Sequence, residues 1–212
     1  MLVKERMSIP VIWVRPNLPI LDALKLMQRE HIRRTPVIKD GEMIGIISDK
    51  DLLNAGPSDA TSLSIWELNY LMSRIEVGDI MTTDVLTVTE DTPIEEAARI
   101  MVDNKIGGLP VMRDGHVVGL ITETDLFKIL LELMGARESG LRVTVQAPVK
   151  LGELAAITEA LAEAGGNIIA FGQFLGEDTE TRTVTFKVKG IDEEMIRERV
   201  GPLVVRITDM RR

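Results

Sequence analysis

Gly45-Ile46-Ile47-Ser48-Asp49-Lys50-Asp51-Leu52 recurs 74 residues later as Gly119-Leu120-Ile121-Thr122-Glu123-Thr124-Asp125-Leu126. The stretch upstream of it, Arg34-Thr35-Pro36-Val37-Ile38-Lys39-Asp40-Gly41, returns at the same offset as Gly108-Leu109-Pro110-Val111-Met112-Arg113-Asp114-Gly115. The offset also pairs Met7 with Met81, Val14 with Val88, Pro19 with Pro93, Ala23 with Ala97, Met27 with Met101 and Ile32 with Ile106. A gap-free match of that length identifies two copies of one structural unit.

The second copy shows what the unit is. Val85-Leu86-Thr87-Val88 is β-prone. Thr92-Pro93 opens a helix whose apolar stripe is Ile94, Ala97, Ala98 and Met101, and Gly107-Gly108 ends it. Leu109 to Met112 and Val117 to Ile121 flank the turn Arg113-Asp114-Gly115-His116, a hairpin signal. A second helix is predicted from Glu123 to Met134, with Leu126, Ile129, Leu130 and Leu133 inward. Each βαββα unit is too small to bury a good core alone, so the two are expected to pack together. Between them, Asn54 to Asp59 reads as a loop and Ser64 to Met72 as a helix.

Composition narrows the chemistry. The 212 residues include no cysteine and only two histidines, His31 and His116, both read as exposed and idle. Disulfides, thiolate metal sites and cysteine nucleophiles are thereby excluded, and a polyhistidine centre or a histidine-based triad is short of parts. Aromatics are 3% and the net charge is -8, which disfavours nucleic acid and anionic membranes as partners. That charge is uneven. Residues 1–60 hold 9 basic and 8 acidic side chains, 61–138 hold 6 and 14, and 139–212 hold 10 and 11. No apolar run of about 18 residues is present, and Met1-Leu2-Val3-Lys4-Glu5-Arg6 does not read as a signal peptide, so a cytoplasmic location is expected.

Ser48-x-x-Asp51 and Thr122-x-x-Asp125 stand where a buried strand turns into a helix. Plain capping accounts for this spacing. The same geometry also suits a ligand, because a hydroxyl there can meet phosphate or ribose and a carboxylate can chelate ribose hydroxyls. The duplicated Gly-x-x-Ser/Thr-x-x-Asp, preceded by Pro-Val and a turn, resembles tandem cystathionine-β-synthase (CBS) domains. Residues 7–134 look like one such pair, a Bateman module. The resemblance implies two clefts for adenosine-containing ligands: AMP, ADP, ATP or S-adenosylmethionine. Asp51 and Asp125 would hold ribose, Ser48 and Thr122 would contact ribose or phosphate, and Ile46 and Leu120 would border the base. The Asp125 cleft would include Ile32, Arg33, Arg34 and Ala23. The Asp51 cleft would receive Thr92, Ala97, Ile106 and Gly107. Paired arginines favour a phosphate-rich ligand, which makes the Asp125 cleft the preferred nucleotide site, although a solvated helix end explains Arg33-Arg34 equally well.

The last seventy residues read as βαββαβ. Strands are predicted at Leu141 to Val145, Asn167 to Gly172, Arg182 to Val188 and Leu203 to Ile207. Helices are predicted from Leu154 to Ala164, with a Gly165-Gly166 stop, and from Asp192 to Val200. This order implies a ferredoxin-like layer of helices on an antiparallel sheet. Val149 to Leu154 and Gly166-Asn167-Ile168 resemble an ACT domain, an amino-acid-sensing module. By that resemblance Val149, Leu151, Gly152, Asn167 and Ile168 would help form a ligand site at a dimer interface, although turn geometry alone also explains Gly152 and Asn167. The acidic residue usual ahead of that glycine is absent, with Gln146 and Ala147 in its place.

The fold class is therefore α+β: a CBS pair, with repeat 1 at 1–60 and a linker helix plus repeat 2 at 61–138, then an ACT domain at 139–212. The combination resembles the regulatory acetoin-utilisation AcuB-type proteins. It implies a non-catalytic homodimeric sensor of an adenine nucleotide, acting on an unidentified regulated protein, with no catalytic residue, metal or required cofactor. A structural oligomerisation module without a metabolite is the alternative. CBS pairs also occur within inosine-monophosphate dehydrogenases, but this chain has neither the cysteine nor the length for that barrel.

Overall fold

The computed structural model describes residues 1–55, 70, 72–176 and 178–212. Two compact units divide the chain, Met1–Leu126 and Phe127–Arg212.

In the first unit the two copies run α1 (Ile20–Arg29), β1 (Arg34–Lys39), β2 (Glu42–Ser48), α2 (Asp49–Asn54), then α3 (Val77–Ile80), β3 (Val88–Thr89), α4 (Ile94–Asn104), β4 (Gly108–Arg113), β5 (His116–Thr122) and the start of α5 (Glu123–Leu133). β1 pairs antiparallel with β2, and β4 with β5, each pair bulged at the same point of its repeat. The hairpin turns are local chemistry: Asp40-Gly41 and Asp114-Gly115 all have positive φ, between 50° and 89°. That is the mirror-image turn whose twist matches the strands, and Asp-Gly adopts it readily. The predicted strand at Val85 shrinks to Val88–Thr89, which pairs parallel with β4, as Val14 bridges Val37 in the first copy. Helix α4 is stopped by Lys105, which takes a left-handed conformation (φ 54°) and lets Ile106 N–H donate to the Met101 carbonyl at 2.9 Å. Gly107 therefore lies beyond the helix stop, and Gly108 opens β4.

The repeats exchange their leading segments. Val3 is fully buried among Val88, Ala97, Met101 and Leu109 of the second copy, whereas Val77 is fully buried among Val14, Ile20, Val37 and Ile47 of the first. The backbone shows the same relation: Ser8 bridges Leu120 and Thr82 bridges Ile46. The exchange is tight at Gly45 and at Gly119. A Cβ at Gly45 would lie 2.7 Å from Met81 Sδ and 2.8 Å from the Thr82 carbonyl. At Gly119 it would overlap Met7 Sδ. Gly45→Ala is accordingly expected to destabilise the fold by about 1–3 kcal/mol through overpacking. Urea unfolding reads this, and a shift under about 0.5 kcal/mol would show that the crossing segment yields freely.

Only part of α5 behaves as the apolar stripe predicts, Leu126 and Ile129 being half-buried. Leu126 packs on the second-repeat core, but Leu130 is 45% and Leu133 58% exposed. The helix crosses the boundary between the compact units after Leu126, so its later turns leave that core. The helix predicted over 64–72 lies outside the described residues apart from Tyr70 and Met72, which are helical.

The second unit continues with β6 (Leu141–Pro148), α6 (Glu153–Glu163), β7 (Asn167–Leu175), β8 (Thr181–Lys189), α7 (Glu193–Arg199) and β9 (Arg206–Arg211). Its antiparallel sheet has the order β7-β8-β6-β9, compatible with the βαββαβ layer expected from sequence. Val143, Val145, Ile157, Leu161, Val184, Phe186 and Ile196 form its core. β9 starts at Arg206 because Gly201–Leu203, with Pro202, forms a 3-10 turn. Among the described residues no helix is long and apolar enough to cross a membrane.

Candidate functional site

Ser48 and Asp51 form a complete capping box. Asp51 N–H donates to Ser48 Oγ at 3.2 Å, while Ser48 N–H and its hydroxyl donate to Asp51 Oδ2 at 2.9 and 2.6 Å. Thr122 repeats two of these bonds, its N–H and hydroxyl donating to Asp125 Oδ2 at 3.1 and 2.7 Å. Capping is thus a real role of both motifs. The two carboxylates differ in access, because Asp51 is half-buried whereas Asp125 is 6% exposed. All hydrogen bonds of Asp51's side chain with described residues fall on Oδ2, which leaves Oδ1 without a partner there.

Asp51 lines a cleft of about 650 Å³, within the range of small-molecule sites. Ile46, Ser48 and Asp51 come from the first copy, Ile106 and Gly107 from the second, and the crossing segment adds Thr82, Asp84 and Val85. Arg33 and Arg34, expected beside Asp125, also line this cleft. Strand register is the reason. Arg34 pairs directly with Ser48 across the β1–β2 hairpin, so the arginines start from the Asp51 side. Their guanidinium groups then cross to the second repeat. Arg33 Nη2 donates to Thr124 Oγ1 at 3.0 Å, and a Cβ on Gly108 would lie 3.0 Å from Arg34 Nη1. Glycines at 107 and 108, where the first repeat has Arg33 and Arg34, provide the room.

Burial holds the Arg34 guanidinium below its ordinary value, opposed by Glu123 and reinforced by neighbouring Arg33. Asp49 and Asp51 also oppose it. A partly desolvated cation attracts an incoming anion more strongly than one in bulk water, while the neighbouring carboxylates oppose that attraction.

Other predicted residues lie elsewhere. Ala23 and Ala97 are fully buried in the two repeat cores, so neither side chain faces a cleft. Ile32 packs partly buried on the first core. Thr92 Oγ1 accepts the Thr89 N–H at 3.1 Å and so shapes the entry to α4. Leu120 is 9% exposed and holds Ser8 through both backbone bonds. Sequence reasoning missed Asp49, Lys50, Asp84, Asn104 and Lys105 in the Asp51 cleft. The 74-residue offset carried a usable signal for Lys105, which occupies the left-handed position that His31 holds in the first copy.

In the second unit, Val149, Leu151 and Gly152 are exposed just after β6, and Asn167 and Ile168 open β7. The register separates these groups. Pro148 pairs with Thr181 at one end of β8, and Asn167 with Lys189 at the other. A nine-residue strand spans roughly 25 Å or more, so one chain does not bring them together. Gln146, standing near where an acid is usual, is buried and reaches Thr181 Oγ1 at 3.4 Å. Among the described residues no group of three or more His, Asp or Glu side chains could hold a metal ion.

Comparison with known proteins places these features in context. The CBS domain family matches at residues 3–58 and 77–132. The chain is 32% identical to the uncharacterized protein MJ1225 of Methanocaldococcus jannaschii over 56% of its own length, but that match spans only 43% of the relative. Among solved structures, the CBS domain pair of MJ0100 in complex with 5′-methylthioadenosine and S-adenosylmethionine is 28% identical, with a TM-score of 0.52, covering 65% of this chain and 98% of that one. CBSX2 of Arabidopsis thaliana in complex with AMP is 32% identical, with a TM-score of 0.50 and coverages of 61% and 96%. An acetoin utilization protein, AcuB, of Vibrio cholerae is 28% identical, with a TM-score of 0.54 and coverages of 66% and 98%.

Proposed function

Since this chain belongs to the CBS domain family, we propose that it is a non-catalytic sensor binding an adenosine-containing ligand in the cleft of Asp51. One observation carries the reading: two arginines line one cavity together with Asp51, whose Oδ1 has no hydrogen-bond partner among the described residues. Oδ1 of Asp51 would accept from the ribose hydroxyls, Arg33 and Arg34 would meet phosphate, and Ile46 with Ile106 would border the base. Two solved relatives hold ligands of this class, AMP in one and S-adenosylmethionine with 5′-methylthioadenosine in the other. A phosphate that draws Arg33 from Thr124 would loosen the first turn of α5, the helix leading into the second unit. Occupancy would be transmitted by that route, and a coupling of about 1–3 kcal/mol suffices for a switch.

The rest of the proposal concerns assembly. Residues 1–60 and 61–138 are assigned as the two CBS repeats and 139–212 as an ACT domain that dimerises. The protein would work as a cytoplasmic homodimer on a regulated partner. Exposed Phe127, Leu130, Leu131 and Leu133 on α5 favour self-association.

Calorimetric titration of the full chain with AMP, ATP and S-adenosylmethionine tests the sensor reading. Binding of at least one is expected. Arg34→Ala should weaken ATP by about tenfold, because a charge-assisted phosphate contact is lost. It should leave S-adenosylmethionine, which has no phosphate, nearly unchanged. Absence of binding with all three would leave the oligomerisation module as the better account.

A further inference from the structure

Away from the Asp51 cleft, the first repeat carries a second cavity of about 700 Å³, lined by Trp13, Arg15, Asn17, Ile38, Lys39 and Asp40 among others. Its parts follow from alternation. Val14 is buried and bridges Val37, which turns Trp13 and Arg15 to the other side together. Trp13 keeps 46% of its surface exposed there, although large aromatics normally bury far more of their area.

The second repeat supplies an internal comparison. Arg15-Pro16-Asn17 stands where that copy has Thr89-Glu90-Asp91, and Lys39 stands where it has Arg113. In the second copy the charges are matched internally: Arg113 forks onto both oxygens of Glu90, and Lys4 holds Asp91 at 2.7 Å. In the first copy both acids are gone, the cation remains, and Arg15 adds another. Among the described residues neither Arg15 nor Lys39 has an ion-pair partner, and the one carboxylate in the lining is Asp40. One backbone frame is thus self-neutralised in one copy and left open and net positive in the other.

We infer that this cavity binds a small anion bearing a planar ring, with the ring stacked on the Trp13 indole and the anionic group held by Arg15 and Lys39. Indole offers a flat polarizable face, and two cations at one rim select a phosphate or carboxylate. The site is separate from the Asp51 cleft and does not depend on what that cleft binds.

Trp66→Phe leaves Trp13 as the only tryptophan of the chain, so its emission reports directly on the cavity. Titration of that variant with phenyl phosphate should change the emission saturably. Arg15→Ala and Lys39→Ala should each weaken the response by about tenfold. Pro16→Glu, which restores the second repeat's acid on the cavity wall, should abolish it while leaving Trp13, Arg15 and Lys39 in place. Asp51→Ala and Asp125→Ala should leave it intact. A response that stays linear to about 10 mM, survives Pro16→Glu, or disappears with Asp51→Ala or Asp125→Ala would overturn the assignment.

Discussion

Asp51→Ala is expected to erase almost all of the thermal stabilisation that a nucleotide confers, while Asp125→Ala leaves most of it. Two ribose hydroxyls donating to a carboxylate make charge-assisted bonds worth about 1.5 kcal/mol or more each. Losing both weakens binding by about two orders of magnitude. A ligand at about 100 times its Kd stabilises the folded chain by about 2.7 kcal/mol, and a hundredfold weaker affinity leaves only about 0.4. The variant also loses the reciprocal capping bond to the Ser48 N–H, so its ligand-free melting point falls by an amount equivalent to about 0.5–2 kcal/mol. The comparison must therefore be between each variant with and without nucleotide. Differential scanning fluorimetry with saturating AMP or ATP reads it. Equal nucleotide responses in Asp51→Ala and the unmodified chain would remove the ribose role from Asp51. A selective loss in Asp125→Ala would return the site to the cleft that sequence favours.

The proposed preference for the Asp51 cleft over the Asp125 cleft rests on a feature that is not local. The duplicated motif, the Asp-Gly hairpin turns and the helix-opening Ser48 and Thr122 are legible in sequence, since each depends on residues within a few positions of one another. Which cleft the Arg33 and Arg34 side chains enter depends instead on the pairing of Arg34 with Ser48 and on the space over Gly107 and Gly108, 74 residues away. Exchange of Met7 and Met81 between repeats is hidden for the same reason: both copies carry the same signal, and nothing in either specifies which partner it covers. Periodicity likewise predicts an apolar face on α5 but does not say that Leu130 and Leu133 stay exposed. The alternation of Val143, Val145 and Ala147 against Val184, Phe186 and Val188 made the second unit's sheet readable. The placement of Asn167 far from Gly152 follows only from the antiparallel register.

Phe186→Ala tests whether the two compact units are also two energetic ones. Phe186 is fully buried at the centre of the second unit's core, its ring stacked on Phe171 with centroids 6.2 Å apart and planes 14° from parallel. Removing it forfeits the transfer free energy of the ring and leaves a cavity that the surrounding strands close only in part, about 3–5 kcal/mol. That is a large fraction of the 5–15 kcal/mol that stabilises a typical domain. For a unit of this size, each kcal/mol lowers the melting temperature by about 4–8 °C, so the second unit should melt some 12–40 °C earlier. Among the described residues, the two repeat cores, which include Val3 and Val77, contain no residue of the second unit. Differential scanning calorimetry of the full-length variant should therefore show a separate early transition that ignores nucleotide, followed by one that nucleotide still shifts upward. If the variant instead melts in one early transition, with the nucleotide response lost alongside the second unit's structure, the units fold as one cooperative block. The CBS pair would then depend on the C-terminal unit for its stability, and coupling between them would be tighter than the Arg33–Thr124 route requires.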